Sequence, residues 1–154
     1  MKFILIIALV FVALQAYVRL MPTAAARWHV DPFAAADPAK TGGRLILRAA
    51  DLPFENGAQA LGAAQDQMLL LARTKRIAGR VEDGRITFVT RSKFWGFPDY
   101  TTIGMRAGGA GNETSEEGAQ YQIAMLARQR FGLADMGVNM ARLKRIAAAL
   151  RGAQ

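Results

Sequence analysis

Asp83 and Gly84 sit inside the alternating run "RIAGRVEDGRITFVTR", and both residue types accept a positive φ. Such a pair between β-rich flanks folds the chain back on itself, so antiparallel strands are the first constraint on the fold. A two-residue turn here pairs Glu82 with Arg85, Val81 with Ile86 and Gly79 with Phe88. Alternation then puts Ile77, Val81, Ile86 and Phe88 on one face, with Gly79 leaving room for the ring opposite. Arg76, Arg80, Arg85 and Arg91 fall on the other face, read as solvated polar surface, with an anionic-ligand surface as the alternative.

Three more strands are expected. "RLILR" at 44–48 is a short one, and "DYTTIGMR" and "AQYQIAMLAR" are two longer ones. Thr101, Ile103 and Met105 share a face, as do Tyr121, Ile123 and Met125. The glycine-rich, acidic "AGGAGNETSEEG" between them is expected to be a mobile loop in a long hairpin. It lacks the Gly-Lys-Ser/Thr of a phosphate loop.

Two helices complete the domain. One starts at the N-cap Asn56 and buries Leu61, Ala64, Met68, Leu71 and Ala72, with Arg73 in its last turn favoured by the helix dipole. The other, "NMARLKRIAAALRG", is capped by Asn139, buries Leu143, Ile146, Ala147 and Leu150, and stops at Gly152. The expected fold class is α+β: a two-layer domain of antiparallel sheet with flanking helices, over residues 44–154.

The N-terminus is different in kind. Residues 3–18, "FILIIALVFVALQAYV", are apolar except for Gln15. With Arg19 snorkelling, a membrane helix can extend to Met21, so residues 1–21 are read as an anchor. The rival is a signal segment cleaved near "PTAAAR", where Ala24 and Ala26 are small. Either reading sends the domain out of the cytoplasm. The expected location is the inner membrane, single-pass, with the C-terminal domain periplasmic, or a secreted or periplasmic protein after cleavage. Residues 22–43 read as a linker lying along the domain surface.

Composition excludes several chemistries. The chain has no cysteine and one histidine, His29, so disulfides, thiolate catalysis and multi-histidine metal sites are ruled out. No cofactor and no metal is expected. A formal charge of +8 favours anionic partners such as lipid headgroups, with nothing beyond charge pointing to nucleic acid.

Two polar clusters stand out, "TRSKFWGFPDYTT" at 90–102 and "RFGLADMGVN" at 130–139. The candidate site residues are Arg91, Asp99, Arg128, Arg130, Asp135 and Asn139. Together "RSKFWGFPDYTT" and "RFGLADMGVNMAR" resemble the bacterial domain-of-unknown-function 1499 family. That family carries Arg-Ser, aromatic-Gly-Phe and Asp at the first site, and Arg, Gly, Asp, Gly and Asn at the second, here Arg130, Gly132, Asp135, Gly137 and Asn139. Ala134 stands where many relatives have serine, and "LARQR" where they often have Arg-Ser. The resemblance implies a fold unit from Arg27 to the final helix and no particular reaction.

Three roles compete for the cluster. It is an internal lock of Arg–Asp bonds and a helix cap, an anion-binding site, or an acid–base pair of Asp99 and Asp135. The reading adopted is a membrane-anchored envelope protein with a non-enzymatic binding or interaction domain and no catalytic residue assigned. The alternatives are a hydrolase-like enzyme using Asp99 and Asp135, or an anionic-ligand binding protein. Expected partners are the membrane through residues 3–21, and an anionic ligand or an envelope protein.

Overall fold

A computed structural model of the chain describes residues 1–107 and 121–152. The glycine-rich segment between the two long strands falls almost wholly outside the described residues. The elements are α1 (Lys2–Leu20), α2 (Ala25–Trp28), β1 (Gly42–Arg48), α3 (Gly57–Leu69), β2 (Thr74–Arg80), β3 (Arg85–Arg91), β4 (Pro98–Ala107), β5 (Tyr121–Gln129) and α4 (Val138–Arg151). The five strands form one antiparallel sheet in the order β1-β5-β4-β3-β2. The fold is α+β, as the hairpin signal and the two helical patterns imply.

One face of the sheet carries the main core. Leu47, Ile86, Phe88, Ile103, Ile123 and Met125 are fully buried against Leu61, Ala64 and Met68 of α3 and Leu143, Ile146, Ala147 and Leu150 of α4. Each fully buried aliphatic or aromatic side chain contributes about 1.5–3 kcal/mol, so this layer dominates stability. Asn56 caps α3 by accepting from the Gln59 amide at 3.0 Å. The helix ends at Leu69, earlier than its stripe suggests. Ala72 is exposed and Arg73 lies in the following turn with φ +61°, outside the helix.

The β2–β3 hairpin differs from the two-residue expectation. Arg80 pairs with Arg85 and Gly79 with Ile86, leaving Val81–Gly84 as a four-residue turn with Gly84 at φ +70°. A bulge between Arg76 and Ala78 then shifts the register. The bulge moves Ile77 to the second face of the sheet, beside Val89 and Tyr100. It also leaves Arg76, paired with Phe88, on the helix side, where it donates to Gln65 of α3.

That second face is not plain solvated surface. Residues 22–38, expected to run along the domain, form a strap across it. Trp28, 7 % exposed, stacks on Tyr100 with ring centroids 3.9 Å apart. Its carbonyl accepts from Thr102 Oγ1 at 2.8 Å and from Arg128 at 3.0 Å. His29 Nδ1 lies 2.9 Å from Thr87 Oγ1. Farther along, Arg44 donates to the Ala35 carbonyl and the Arg106 guanidinium lies 4.2 Å from the Phe33 ring centroid. Thr87 and Thr102 are buried under the strap and bond to each other at 3.0 Å, so their hydroxyls are satisfied.

The strap ends at α1, a 19-residue helix with mean hydropathy 2.4 and almost no burial. Its length is about 28 Å at 1.5 Å per residue, close to the hydrocarbon thickness of a bilayer. The helix is therefore compatible with a membrane anchor or a signal segment.

Trp28→Ala is expected to cost about 3 kcal/mol by leaving a hole under the strap, read from the chemical denaturation midpoint of the full chain in micelles. Burial, with the charge of Arg85 beside it, pushes the His29 pKa below 6.5 against the weaker opposite pull of Asp83. A lowered histidine pKa means the stabilising neutral form is complete above pH 6.5 and is lost as pH falls through the folded value. The only imidazole of the chain is thus expected to titrate below 6.5 by NMR, and proteolysis within residues 22–33 to rise in step.

Candidate functional site

The six residues singled out by sequence do not gather around one cleft. They form two sets of internal bonds. In the first, Asp135 caps α4. Its Oδ1 accepts from the Gly137 amide at 2.9 Å and its Oδ2 from the Asn139 amide at 3.0 Å. The expected cap, Asn139, lies instead within the first turn of α4 and is fully buried. Its Oδ1 accepts from Arg142 at 2.6 Å, and its Nδ2 has no partner among the described residues. Arg142 reaches on to Asp99 Oδ2 at 3.1 Å, a largely buried ion pair tying α4 to the start of β4. Arg142 was not among the sequence candidates. Its side chain lies on the border of an otherwise basic helix face, and only the packing of α4 shows where it points.

Burial raises the Asp99 pKa above its ordinary 3.8. Arg142 pulls it the other way by charge and hydrogen bond without cancelling the rise, and the charge of Asp135 adds to it. Both carboxylates are thus committed to structure, Asp99 to a guanidinium and Asp135 to two backbone amides.

The second set consists of three arginines that clip the segment leaving α1. Arg91 donates to the carbonyls of Gly96 at 2.9 Å and Val18 at 3.3 Å. Arg128 donates to the Trp28 carbonyl while its guanidinium lies 5.1 Å from the Trp28 ring centroid. Burial and the neighbouring charge of Arg27 lower its pKa. Arg130 donates to the Pro22 carbonyl at 3.0 Å and to Tyr100 Oη at 3.4 Å. Bonds from side chains to backbone carbonyls fix the path of a chain without any ligand.

A different set of residues forms a cleft. Arg19 at the end of α1, Arg73 before β2, Lys75 in β2, Arg91 at the end of β3 and Lys93 in the next turn line a cavity of about 440 Å³ with Val89, Ser92 and Gly96. Among the described residues, five cations and no carboxylate line it. The alternation of β2 and β3 explains the placement, because Lys75 and Arg91 share the strap face with Val89. Arg73 is held by its Nε donating to the Arg91 carbonyl at 3.0 Å, and the Arg91 amide donates back to the Arg73 carbonyl at 3.1 Å. Its left-handed backbone costs on the order of 1–2 kcal/mol for a residue with a Cβ. Such strain persists only where surrounding contacts enforce it, and it clusters at functional positions.

Among the described residues, no acceptor bonds the terminal nitrogens of Arg73 or the ammonium groups of Lys75 and Lys93. The volume falls within the range of about 300–1,000 Å³ typical of ligand pockets. The arrangement suits a phosphate or carboxylate held by charge-assisted bonds. Ser92 Oγ accepts from the Phe97 amide at 3.0 Å, and among the described residues no histidine or carboxylate lines the cleft to activate it.

A family model described as "Protein of unknown function (DUF1499)" matches residues 30–150. The chain belongs to the DUF1499 family. No curated protein and no solved structure matches it. The family match begins inside the strap, so the strap from Val30 onward is part of the DUF1499 unit, while α1 and Trp28 precede it. Of the cleft, Arg73, Lys75, Arg91 and Lys93 fall inside the match, and Arg19 comes from the apolar helix.

Sequence reasoning missed Arg19, Arg73, Lys75 and Lys93 because they come from separate elements. Their signal was the hairpin register. With the bulge included, Thr74 faces Thr90, which sets Arg73 against Arg91. Two arginines opposite each other repel unless something anionic lies nearby.

Asp135→Ala is expected to lower stability by about 1 kcal/mol through loss of the α4 cap, seen as a lower denaturation midpoint. The raised Asp99 pKa makes its contribution to stability complete below pH 3.8 and lost as pH rises through the folded value. Asp99→Asn should flatten that part of the stability–pH profile, measured by denaturation between pH 3 and neutrality.

Proposed function

We propose that this chain is a membrane-anchored, non-catalytic envelope domain that binds an anionic group, with phosphate chemistry, at the bilayer surface. The observation that carries the reading is the cleft of Arg19, Arg73, Lys75, Arg91 and Lys93, five cations with no counter-charge among the described residues that line it. One wall comes from the last turn of the apolar helix, so an occupant would sit where that helix leaves the hydrocarbon. A +8 chain concentrates anions at its surface, and a cleft lined by one sign of charge focuses that attraction. The inner membrane, with the domain on its periplasmic side, is the location that fits an N-terminal apolar segment followed by a folded domain.

The hydrolase alternative has less support. An acid–base pair needs carboxylates free to reach a substrate, and Asp99 and Asp135 are bonded to Arg142 and to the α4 amides.

The phosphate could belong to a lipid headgroup or to a soluble ligand, and two arms separate these sources. The full chain is placed in phosphatidylcholine nanodiscs with added inorganic phosphate, or in nanodiscs containing phosphatidylglycerol. A ligand that binds only the folded state raises the thermal midpoint. The midpoint is expected to rise in at least one arm, and the rise to vanish in a variant carrying Arg73→Asn and Lys93→Gln. Asparagine is chosen because it tolerates the left-handed backbone at this position. No rise in either arm, or an equal rise in the variant, refutes the proposal.

A further inference from the structure

We infer that the domain lies down on the membrane through a wedge of two loops, with Phe94, Trp95, Leu133 and Met136 entering the bilayer beside α1. The inference rests on the anchor reading of α1 and adds a second, independent attachment. The two loops are residues 92–97, between β3 and β4, and residues 130–137, between β5 and α4. Because β3, β4 and β5 are consecutive and antiparallel, both loops leave the same end of the sheet.

These loops carry large apolar side chains that the other described residues leave exposed. Phe94 is 71 % exposed, Trp95 41 %, Leu133 94 % and Met136 93 %. The loops touch each other through Phe97 and Phe131, with ring centroids 5.8 Å apart. Met136 is held at φ +51°, a backbone state unusual for a side chain of this kind, and its apolar end is presented to the exterior. Clustered exposed apolar residues mark a surface with a partner.

The partner is a bilayer because the wedge continues the surface of the apolar helix. Trp95 meets Phe11 of α1 edge-on at 5.7 Å, two helical turns before Arg19. Arg19 donates to the Phe94 carbonyl at 3.4 Å and to Gln15 at 3.3 Å. Phe11, Gln15 and Arg19 therefore form one stripe at four-residue spacing that faces the loop. This explains Gln15, the polar interruption of the apolar run: it supports the arginine that holds the loop.

The attachment is also rigid. Only Met21–Ala24 separate α1 from α2, and Thr23 contacts Tyr100 Oη at 3.2 Å while Arg130 holds the Pro22 carbonyl. A domain tied this closely cannot move away from the bilayer that holds α1, so loops alongside α1 must meet lipid. Phe11 is midway along α1, so Trp95 is placed below the headgroup layer, while the basic cleft at the level of Arg19 suits the headgroups themselves.

The chain has two tryptophans, the buried Trp28 and the exposed Trp95, which permits a direct test. The full chain is reconstituted into vesicles whose lipids are brominated either high or low in the acyl chain, and tryptophan emission is compared with Trp95→Phe. The wild-type chain is expected to lose the Trp95 part of its emission to bromine, more to the deep label than to the shallow one. Trp95→Phe, leaving Trp28 under the strap, should be almost insensitive. Equal quenching of the two proteins overturns the wedge. Flotation of the vesicles separates this failure from that of the anchor. A chain that floats yet shows no Trp95 quenching refutes the wedge alone, whereas a chain that does not float refutes both.

Discussion

The carbonyl of Trp28 accepts two side-chain hydrogen bonds, from Thr102 Oγ1 and from Arg128, beside one from the Val30 amide, while its ring is stacked on Tyr100. Much of the rest of the molecule depends on this point. The helices α3 and α4 cover one face of the sheet with apolar side chains. The other face carries threonines and arginines that need partners as much as cover. An irregular strap offers both, because its backbone carbonyls are free to accept where a helix would have used them internally. Stacking supplies the apolar part, and the guanidinium over the indole adds a cation–π contact.

The same device repeats toward the N-terminus. Arg91, Arg128 and Arg130 each donate to a backbone carbonyl of the segment from Val18 to Trp28. Guanidinium groups suit this work, since they present several donors in a fixed fork and are more weakly hydrated than ammonium groups. The outcome is an apolar helix joined to the domain by a fastened connection rather than a tether. This fastening creates the basic cleft, because Arg19 is brought beside Arg73, Lys75, Arg91 and Lys93 only when the end of α1 is held there. The structural arginines and the proposed ligand site are thus parts of one arrangement.

The two family motifs turn out to be the ends of that arrangement. Asp99 and Asp135 were open to a catalytic reading in the sequence, because a carboxylate near another carboxylate is chemically ambiguous until its partners are known. Arg142 and the amides of Gly137 and Asn139 supply those partners. Asn139 moved from the cap to a buried position in the first turn for a simple reason. Asp135 already supplies the acceptor for the leading amides of α4, those of Gly137 and Asn139, and its charge suits a helix N-terminus better than a neutral amide does. Arg76 and Ile77 were assigned to the wrong faces because one bulged residue inverts every alternation before it.

By itself the sequence determined the features that repeat locally. The apolar run at 3–18, the helical stripes of α3 and α4, the period-two strands and the turn at Asp83-Gly84 each act over a few residues, so their pattern is readable in order along the chain. Only the tertiary structure decided the second face of the sheet, the partners of Asp99 and Asp135, and the meeting of Arg19 with cations more than 50 residues away. Those depend on hydrogen bonds and charges between distant segments, which have no period and no local signature. They exist only once packing has brought the segments together.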